Sequence, residues 1–394
     1  MPKKTIAQVD VRSKRVLTRV DFNVPLSEDS PPRITDDNRI RQALPTIKSI
    51  IDRGGRAILM SHLGRPEGKG FELPHSLNPA ADRLRDLLPG VNVVFPSNDC
   101  IDAKAAAAVG AMKDGEIVVL ENLRFHKGEK KGDADFASKL AAFGDVYCND
   151  AFGTAHRNDA SMLAVPTAMK GKPRVVGLLM EKELKYLSEA INNAQRPFVA
   201  VLGGAKVSDK LGAIKNLLKR VDTVLVGGAM AYTFLKAGGH PVGSSLVEDA
   251  MLTEGKSILD AAAAAGKDKL LLPRDHVCAK ELVPNTFTTV FPDEIPSGWM
   301  GLDVGPQTIM QFTDILKAAK TIVWNGPMGV FETHPFEVGT RDVASAIAKA
   351  TDKGAVRIIG GGASAPAVEA FGIADRFTHV STGGGASLQM LEGT

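Results

Sequence analysis

Short apolar runs alternate with stretches whose apolar residues recur at helical spacing along most of the chain. In the first half the runs at 16–22, 57–62, 91–95, 117–120 and 146–149 read as strands, and in the second half those at 198–202, 223–226, 270–272, 322–324, 356–359 and 379–381. Between them, stretches such as 36–52 and 133–143 carry the helical pattern. Such alternation predicts parallel sheets covered by helices on both faces. Two successive sets of strands predict two α/β domains, which the length of 394 residues also favours. The stretch 180–197 repeats Leu184, Leu187 and Ile191 among Glu and Lys, and Pro197 ends it. It reads either as an ordinary surface helix or as a helix joining the domains, and two sheets of similar size on either side favour the second.

Composition narrows the picture by exclusion. Hydrophobic residues make up 44% and charged residues 24%, ordinary values for a globular chain. The net charge of +3 provides no broad field for nucleic acid, so any cationic site must be local. Cys100, Cys148 and Cys278 are far apart and form no CxxC pair, which argues against disulfides and zinc and suits a reducing cytoplasm. The N-terminus lacks an apolar targeting core, and no apolar run is long enough to span a bilayer.

Basic residues are unevenly placed. Arg19, Arg39, His62, Arg65, Arg124, His156 and Arg157 fall in the first half, most of them at or just past the expected C-terminal end of a strand. In an open parallel sheet these ends line the ligand crevice. Any single Arg is more often a solvated surface charge, but four such loops together point to an anion held by planar guanidinium forks. Asp21 and Asn23, in "RVDFNVP", read either as partners for hydroxyl groups or as turn formers before Pro25.

The second half favours glycine. "VLGGAKVSDK" places Lys206 and Lys210 four apart, the spacing of one helix face, after a strand and a glycine turn. "VWNGPMGVFE" ends a strand in another glycine turn, with Glu332 read as a ribose partner or as an acid at a helix start. "GGGASAP", from Gly360, is a third, with Ser364 expected to cap a helix and Pro366 in its first turn. Three such turns after strands suggest a polyphosphate cradle, although none has the GxxxxGK[ST] spacing. An anion site in one domain and a nucleotide site in the other imply phosphoryl transfer with domain closure.

Taken together, "RVDFNVP", "SHLGRP", "ENLRF", "DAFGTAHR", "LGGAKVSDK", "WNGPMGVFE" and "STGGGASL" resemble the signature stretches of the phosphoglycerate kinase family, in its order and over nearly the whole chain. The resemblance implies reversible transfer of the 1-phosphate of 1,3-bisphosphoglycerate to ADP in glycolysis. It implies a cytoplasmic monomer with two Rossmann-like domains joined by a helix and hinge, small-molecule substrates, and no nucleic-acid or membrane partner. Residues 1–180 would form the phosphoglycerate domain and 181–382 the nucleotide domain, with 383–394 returning to the first and Ser381 and Thr382 near a hinge. Asp21, Phe22, Asn23, Arg39, His62, Leu63, Gly64, Arg65, Arg124 and Arg157 would contact phosphoglycerate. Lys206, Lys210, Gly301, Asn325, Glu332, Gly361, Gly362, Ala363 and Ser364 would contact ATP or ADP with Mg2+. Arg39 and Lys206, with backbone N–H groups at Gly361 and Gly384, would stabilise the phosphoryl in flight.

The chain departs from that family at Ala363, where its members usually carry an Asp that helps to hold magnesium, and no protein metal ligand is expected here. The nucleotide phosphates and water would then supply the oxygens of a six-coordinate ion. Gln389 replaces a common Glu, and Asp159 stands where many members have His. Ala363 keeps open a second reading, a binding protein that retains the fold without turnover. A dinucleotide dehydrogenase fits worse, because no GxGxxG opens the first βα unit.

Overall fold

The computed structural model describes residues 3–29, 32–350 and 354–393. The chain divides into two compact units, Met1–Leu184 and Lys185–Thr394. The first contains β1 (Arg15–Arg19), β2 (Arg56–Met60), β3 (Val93–Val94), β4 (Ile117–Val119), β5 (Val146–Asn149) and β6 (Arg174–Val176). They form one parallel sheet in the order β3-β4-β2-β1-β5-β6. The second contains β7 (Phe198–Leu202), β8 (Thr223–Val226), β9 (Leu270–Leu271), β10 (Asp275–Ala279), β11 (Thr289–Pro292), β12 (Met300–Val304), β13 (Thr321–Asn325), β14 (Val356–Ile359) and β15 (His379–Val380). Six of these make a parallel sheet ordered β15-β14-β13-β7-β8-β9, and β11-β10-β12 form a small antiparallel sheet.

The strands are predominantly apolar because both faces of each large sheet are covered. In the first unit Val16, Ala57, Leu59, Val119 and Val146 pack in one core, while Leu17, Ile58, Met60, Val118 and Tyr147 pack in another. Alternate residues of one strand thus feed opposite layers. The helix Asn38–Ile51 lays Ile40, Ala43, Ile47 and Ile50 on the first of these cores. In the second unit Val199, Val201, Ile322 and Trp324 anchor the core beneath the helices Pro306–Ala318 and Val338–Ala350.

The helix read over 180–197 runs Leu178–Asn192, and the division into compact units falls inside it, after Leu184. The described part of the terminal segment, 383–393, carries one helix. This helix, Gly384–Glu392, packs on the helix Leu211–Arg220 of the second unit, and the Leu391 carbonyl accepts Asn216 Nδ2–H at 2.6 Å. Finally, β6 and the antiparallel sheet were not anticipated. β6 is three residues long with Arg174 exposed, and β10 and β12 bury Asp275, His276 and Asp303 among their apolar residues.

Candidate active site

In each large sheet the connections leave in opposite directions from two adjacent central strands, β1 and β5 in the first and β7 and β13 in the second. Ligands of open α/β sheets bind in the crevice beyond the C-terminal ends of such strands. The segments singled out from the sequence follow those ends in both units.

Hydrogen bonds stitch the first unit's loops together. Past β1, Asp21 Oδ2 accepts from Arg39 Nη1 at 2.7 Å, and Phe22 N–H donates to Ser61 Oγ at 2.8 Å. Asn23 Oδ1 accepts Gly64 N–H at 2.8 Å, and Arg124 Nη1 donates to the Gly64 carbonyl at 2.9 Å. Asn122 Nδ2 donates to the Leu63 carbonyl at 2.7 Å, which ties the loop after β4 to the loop after β2. Phe22, His62 and Leu63 are buried, Asn23 is half-buried, and Arg65 and Arg157 are exposed.

The electrostatics around His62 show how these groups converge. Burial pushes its pKa far below the ordinary imidazole value, and the positive charges of Arg19, Arg124, Arg157 and Arg39 push the same way. The ring is therefore neutral, in a neighbourhood of four guanidinium groups. Arg124 is only 5% exposed, and its Nε and Nη2 are buried without a hydrogen-bond acceptor. Asp159 Oδ2 lies 3.6 Å from Arg124 Nη2 but makes no hydrogen bond to it. Buried charged donors without acceptors are costly, and an oxyanion bound there would satisfy them.

In the second unit Lys206 and Lys210 do not share a helix face. Ser208–Lys210 is a 3-10 turn and the α-helix begins only at Leu211, so Lys206 is exposed while Lys210 is buried. Lys210 Nζ donates to the backbone carbonyl and to Oδ1 of Asn325, which ends β13. Burial pushes its pKa down to about 7, and Asp209 only partly opposes the shift. Glycine is required where the loops meet. A Cβ on Gly326 would sit 2.5 Å from Lys210 Nζ, and one on Gly361 would sit 2.8 Å from Gly383 C and Gly384 N. The turns after β7, β13, β14 and β15 therefore touch through bare backbone.

Ser364 is not the helix cap expected of it. Ala363 occupies that position, and the Ser364 hydroxyl accepts Gly326 N–H at 2.6 Å. Ser364 is fully buried, while Gly362, Ala363 and Glu332 are exposed. Gly301 lies in β12, where a Cβ would collide with the Tyr232 hydroxyl, so packing alone accounts for the glycine. The Ala363 side chain has no oxygen to offer as a ligand. Among the described residues the one cluster of three His, Cys, Asp or Glu side chains placed to share a metal ion is Asp99, Cys100 and His126 in the first unit.

The family model for phosphoglycerate kinase matches residues 6–394. The chain belongs to the phosphoglycerate kinase family. A phosphoglycerate kinase of Rhodopirellula baltica is 57% identical over 396 residues, covering 100% of this chain and 97% of the relative. One from Thermosipho africanus is 51% identical over 398 residues, covering 100% and 96%. The solved phosphoglycerate kinase of Coxiella burnetii superposes with a TM-score of 0.85 at 39% identity, covering 100% of this chain and 97% of that one. The Pyrococcus horikoshii enzyme gives 0.84 at 31% identity, covering 99% and 96%. Two helix-covered parallel sheets are thus the architecture of the phosphoglycerate kinases as well as of this chain.

Sequence reasoning missed several polar partners within these loops. Ser161 and Glu129 hydrogen-bond in series behind Arg19. Neither lies in a segment that reads as chemistry-bearing, and Glu129 sits in a Lys-rich helix that looks solvated.

Proposed function

We propose that this chain transfers the 1-phosphate of 1,3-bisphosphoglycerate to ADP, reversibly, giving 3-phosphoglycerate and ATP in glycolysis. The buried Arg124 guanidinium carries this reading: two of its nitrogens lack an acceptor and it stands near a neutral His62. Such a cup suits the phosphate and carboxylate of phosphoglycerate, held by Asp21, Phe22, Asn23, Arg39, His62, Leu63, Gly64, Arg65, Arg124 and Arg157. In the second unit Lys206, Lys210, Gly301, Asn325, Glu332 and the Gly361–Ser364 turn take ATP or ADP.

The reaction needs little acid–base chemistry. In the reverse direction the acceptor is a carboxylate, ionised near pH 7, so no general base is required. What is needed is alignment of the reactants and neutralisation of the moving phosphoryl group. Arg39 supplies charge from the first unit, where Asp21 orients its guanidinium. Lys206 supplies charge from the second, with backbone N–H groups of Gly361 and Gly384 assisting. Magnesium arrives with the nucleotide, and phosphate oxygens and waters complete its shell.

The same reading makes the protein a cytoplasmic monomer working on small molecules, without nucleic-acid or membrane partners. No described helix is long and apolar enough to cross a membrane, and the three cysteines are buried and unpaired. Ala363 favours the alternative of a non-catalytic relative. A coupled assay with 1,3-bisphosphoglycerate, ADP and a magnesium titration separates the two: turnover supports the kinase, and binding of both substrates without turnover supports the alternative.

A further inference from the structure

Behind His62 runs a chain of buried polar groups from three separate segments. Arg19 ends β1 and is fully buried. Its Nη2 lies 3.1 Å from His62 Nδ1, its Nη1 donates to the Val20 carbonyl, and its Nε donates to Ser161 Oγ at 2.9 Å. Ser161 Oγ donates in turn to Glu129 Oε1 at 2.5 Å, and Ser161 N–H donates to Glu129 Oε2 at 2.9 Å. Ser161 and Glu129 are also fully buried.

The direction of these bonds is fixed by chemistry. A guanidinium has five N–H donors and no lone pair to offer. Wherever Arg19 meets His62, Nδ1 must therefore be the acceptor and carries no proton. A neutral ring then holds its single proton on Nε2. The Ser161 hydroxyl has one proton, which Glu129 takes, and a lone pair remains for Arg19 Nε. Each link thus polarises the next. Burial pushes the Glu129 pKa up, while the positive charge of Arg19 and the two hydrogen bonds from Ser161 oppose that shift, so the carboxyl group and Arg19 are electrostatically linked although the two side chains do not touch directly.

We infer that Arg19, Ser161 and Glu129 are positioning residues that lock His62 as the Nε2–H tautomer, so that it presents a neutral N–H donor to the anionic substrate. Among the described residues no hydrogen bond occupies Nε2. The other tautomer would turn a lone pair toward an anion and repel it. A locked donor instead adds a hydrogen bond to an arginine cup without adding a fifth positive charge. The inference rests on the reading that the first unit holds phosphoglycerate, but the lock itself is a property of the free protein.

The test joins spectroscopy to kinetics. Protein with 15N-labelled histidine is examined at pH 7 by long-range proton–nitrogen correlation, with His62→Gln used to assign the signal. A His62 protonated on Nε2 alone supports the lock, and protonation on Nδ1 or on both nitrogens overturns it, whether or not the protein is a kinase. Ser161→Ala then cuts the chain without adding bulk. The expected result is a mixed tautomer and a KM for 3-phosphoglycerate raised roughly tenfold, the scale of one hydrogen bond to a charged group, while the KM for ATP stays within twofold. In a His62→Gln background, Ser161→Ala has no further effect on KM, because Gln cannot switch tautomer. A mixed tautomer with an unchanged KM overturns the positioning role. A rise in KM of equal size in the His62→Gln background does so too, since it would mark a merely structural loss. Should Ser161→Ala fail to fold, Glu129→Gln, which keeps an acceptor for the serine but removes the charge, is subjected to the same two readouts.

Discussion

Lys210 Nζ donates to both oxygens of Asn325, the backbone carbonyl at 2.8 Å and Oδ1 at 2.6 Å. The pair sits beside the ends of β7 and β13, whose outgoing connections run in opposite directions, and among the described residues no carboxylate hydrogen-bonds to Lys210 Nζ. A buried ammonium ion with only neutral acceptors is poorly stabilised, which is why burial takes its pKa down to about 7. A nucleotide polyphosphate would supply the missing negative charge.

Nucleotide binding should therefore take up a proton at Lys210. The free amine loses its proton as pH rises through about 7, and the bound one keeps it to higher pH. Calorimetric titration with ADP at pH 8, in buffers of differing ionisation enthalpy, should show net proton uptake, and affinity should fall between pH 7 and pH 9. Lys210→Met should abolish the uptake. Uptake that persists in this variant would assign the proton elsewhere.

The contact of Gly361 with the Gly383–Gly384 backbone makes a steric prediction. Gly361→Ala forces a methyl group to within 2.8 Å of backbone atoms that cannot swing aside. The two loops must separate, and turnover should fall by at least roughly tenfold, about 1.4 kcal/mol of lost transition-state stabilisation. The control is Gly110→Ala in the helix Ala103–Ala111, where a Cβ meets nothing. It should leave turnover unchanged and raise stability by up to about 1 kcal/mol. Circular dichroism melts and steady-state rates of both variants check the pair.

Much of this architecture was legible in the chain. The strands of the two parallel sheets other than β6 are mostly apolar runs with polar residues chiefly at their ends, because burial on both faces leaves little polar alternation to confuse the reading. The antiparallel sheet was hidden because β10 begins Asp275-His276 and β12 carries Asp303, polar residues buried against local partners such as the Gly339 N–H on Asp303. The site was legible as motifs but not as geometry. A spacing of four put Lys206 and Lys210 on one face, and the 3-10 turn at Ser208–Lys210 separated them. Ser364 looked like a cap, yet its hydroxyl serves a different loop. Ser161 and Glu129 carried no local signal, since their role depends on segments far apart in sequence meeting behind Arg19.

Ala363 sits at the exposed start of the helix Ser364–Ala370 with φ −69° and ψ −17°, values any residue adopts. Ala363→Asp should therefore fold normally and place a carboxylate where the family's usual Asp stands. The magnesium concentration giving half-maximal rate should fall several-fold relative to wild type in the coupled assay. An unchanged magnesium dependence would show that the nucleotide alone governs the ion.

Asp150, at the N-terminus of the helix Leu178–Asn192, makes stability depend on pH. Its Oδ1 accepts the N–H groups of Leu179 and Met180 at 3.0 and 3.2 Å, yet burial outweighs these bonds and pushes its pKa from 3.8 up to about 7. A carboxyl with a raised folded-state pKa stabilises the fold at acid pH and loses that contribution as pH rises. The contribution is full below about pH 4 and gone above about pH 7. Asp150→Asn keeps the acceptor and removes the titration. Urea unfolding should show the variant gaining on wild type between pH 5 and pH 8 by a few kcal/mol, on the order of 1.4 per unit. A difference that is flat with pH would mean Asp150 titrates normally.

The most direct test of phosphoryl transfer through the arginine cup is a steady-state comparison of wild type with Arg39→Ala, using 3-phosphoglycerate and ATP. Arg39 is partly exposed and paired with Asp21, so its loss should leave the fold intact. Turnover should fall on the order of a hundredfold or more, as expected when a charge aimed at the transition state is removed. Turnover near the wild-type value would contradict the account.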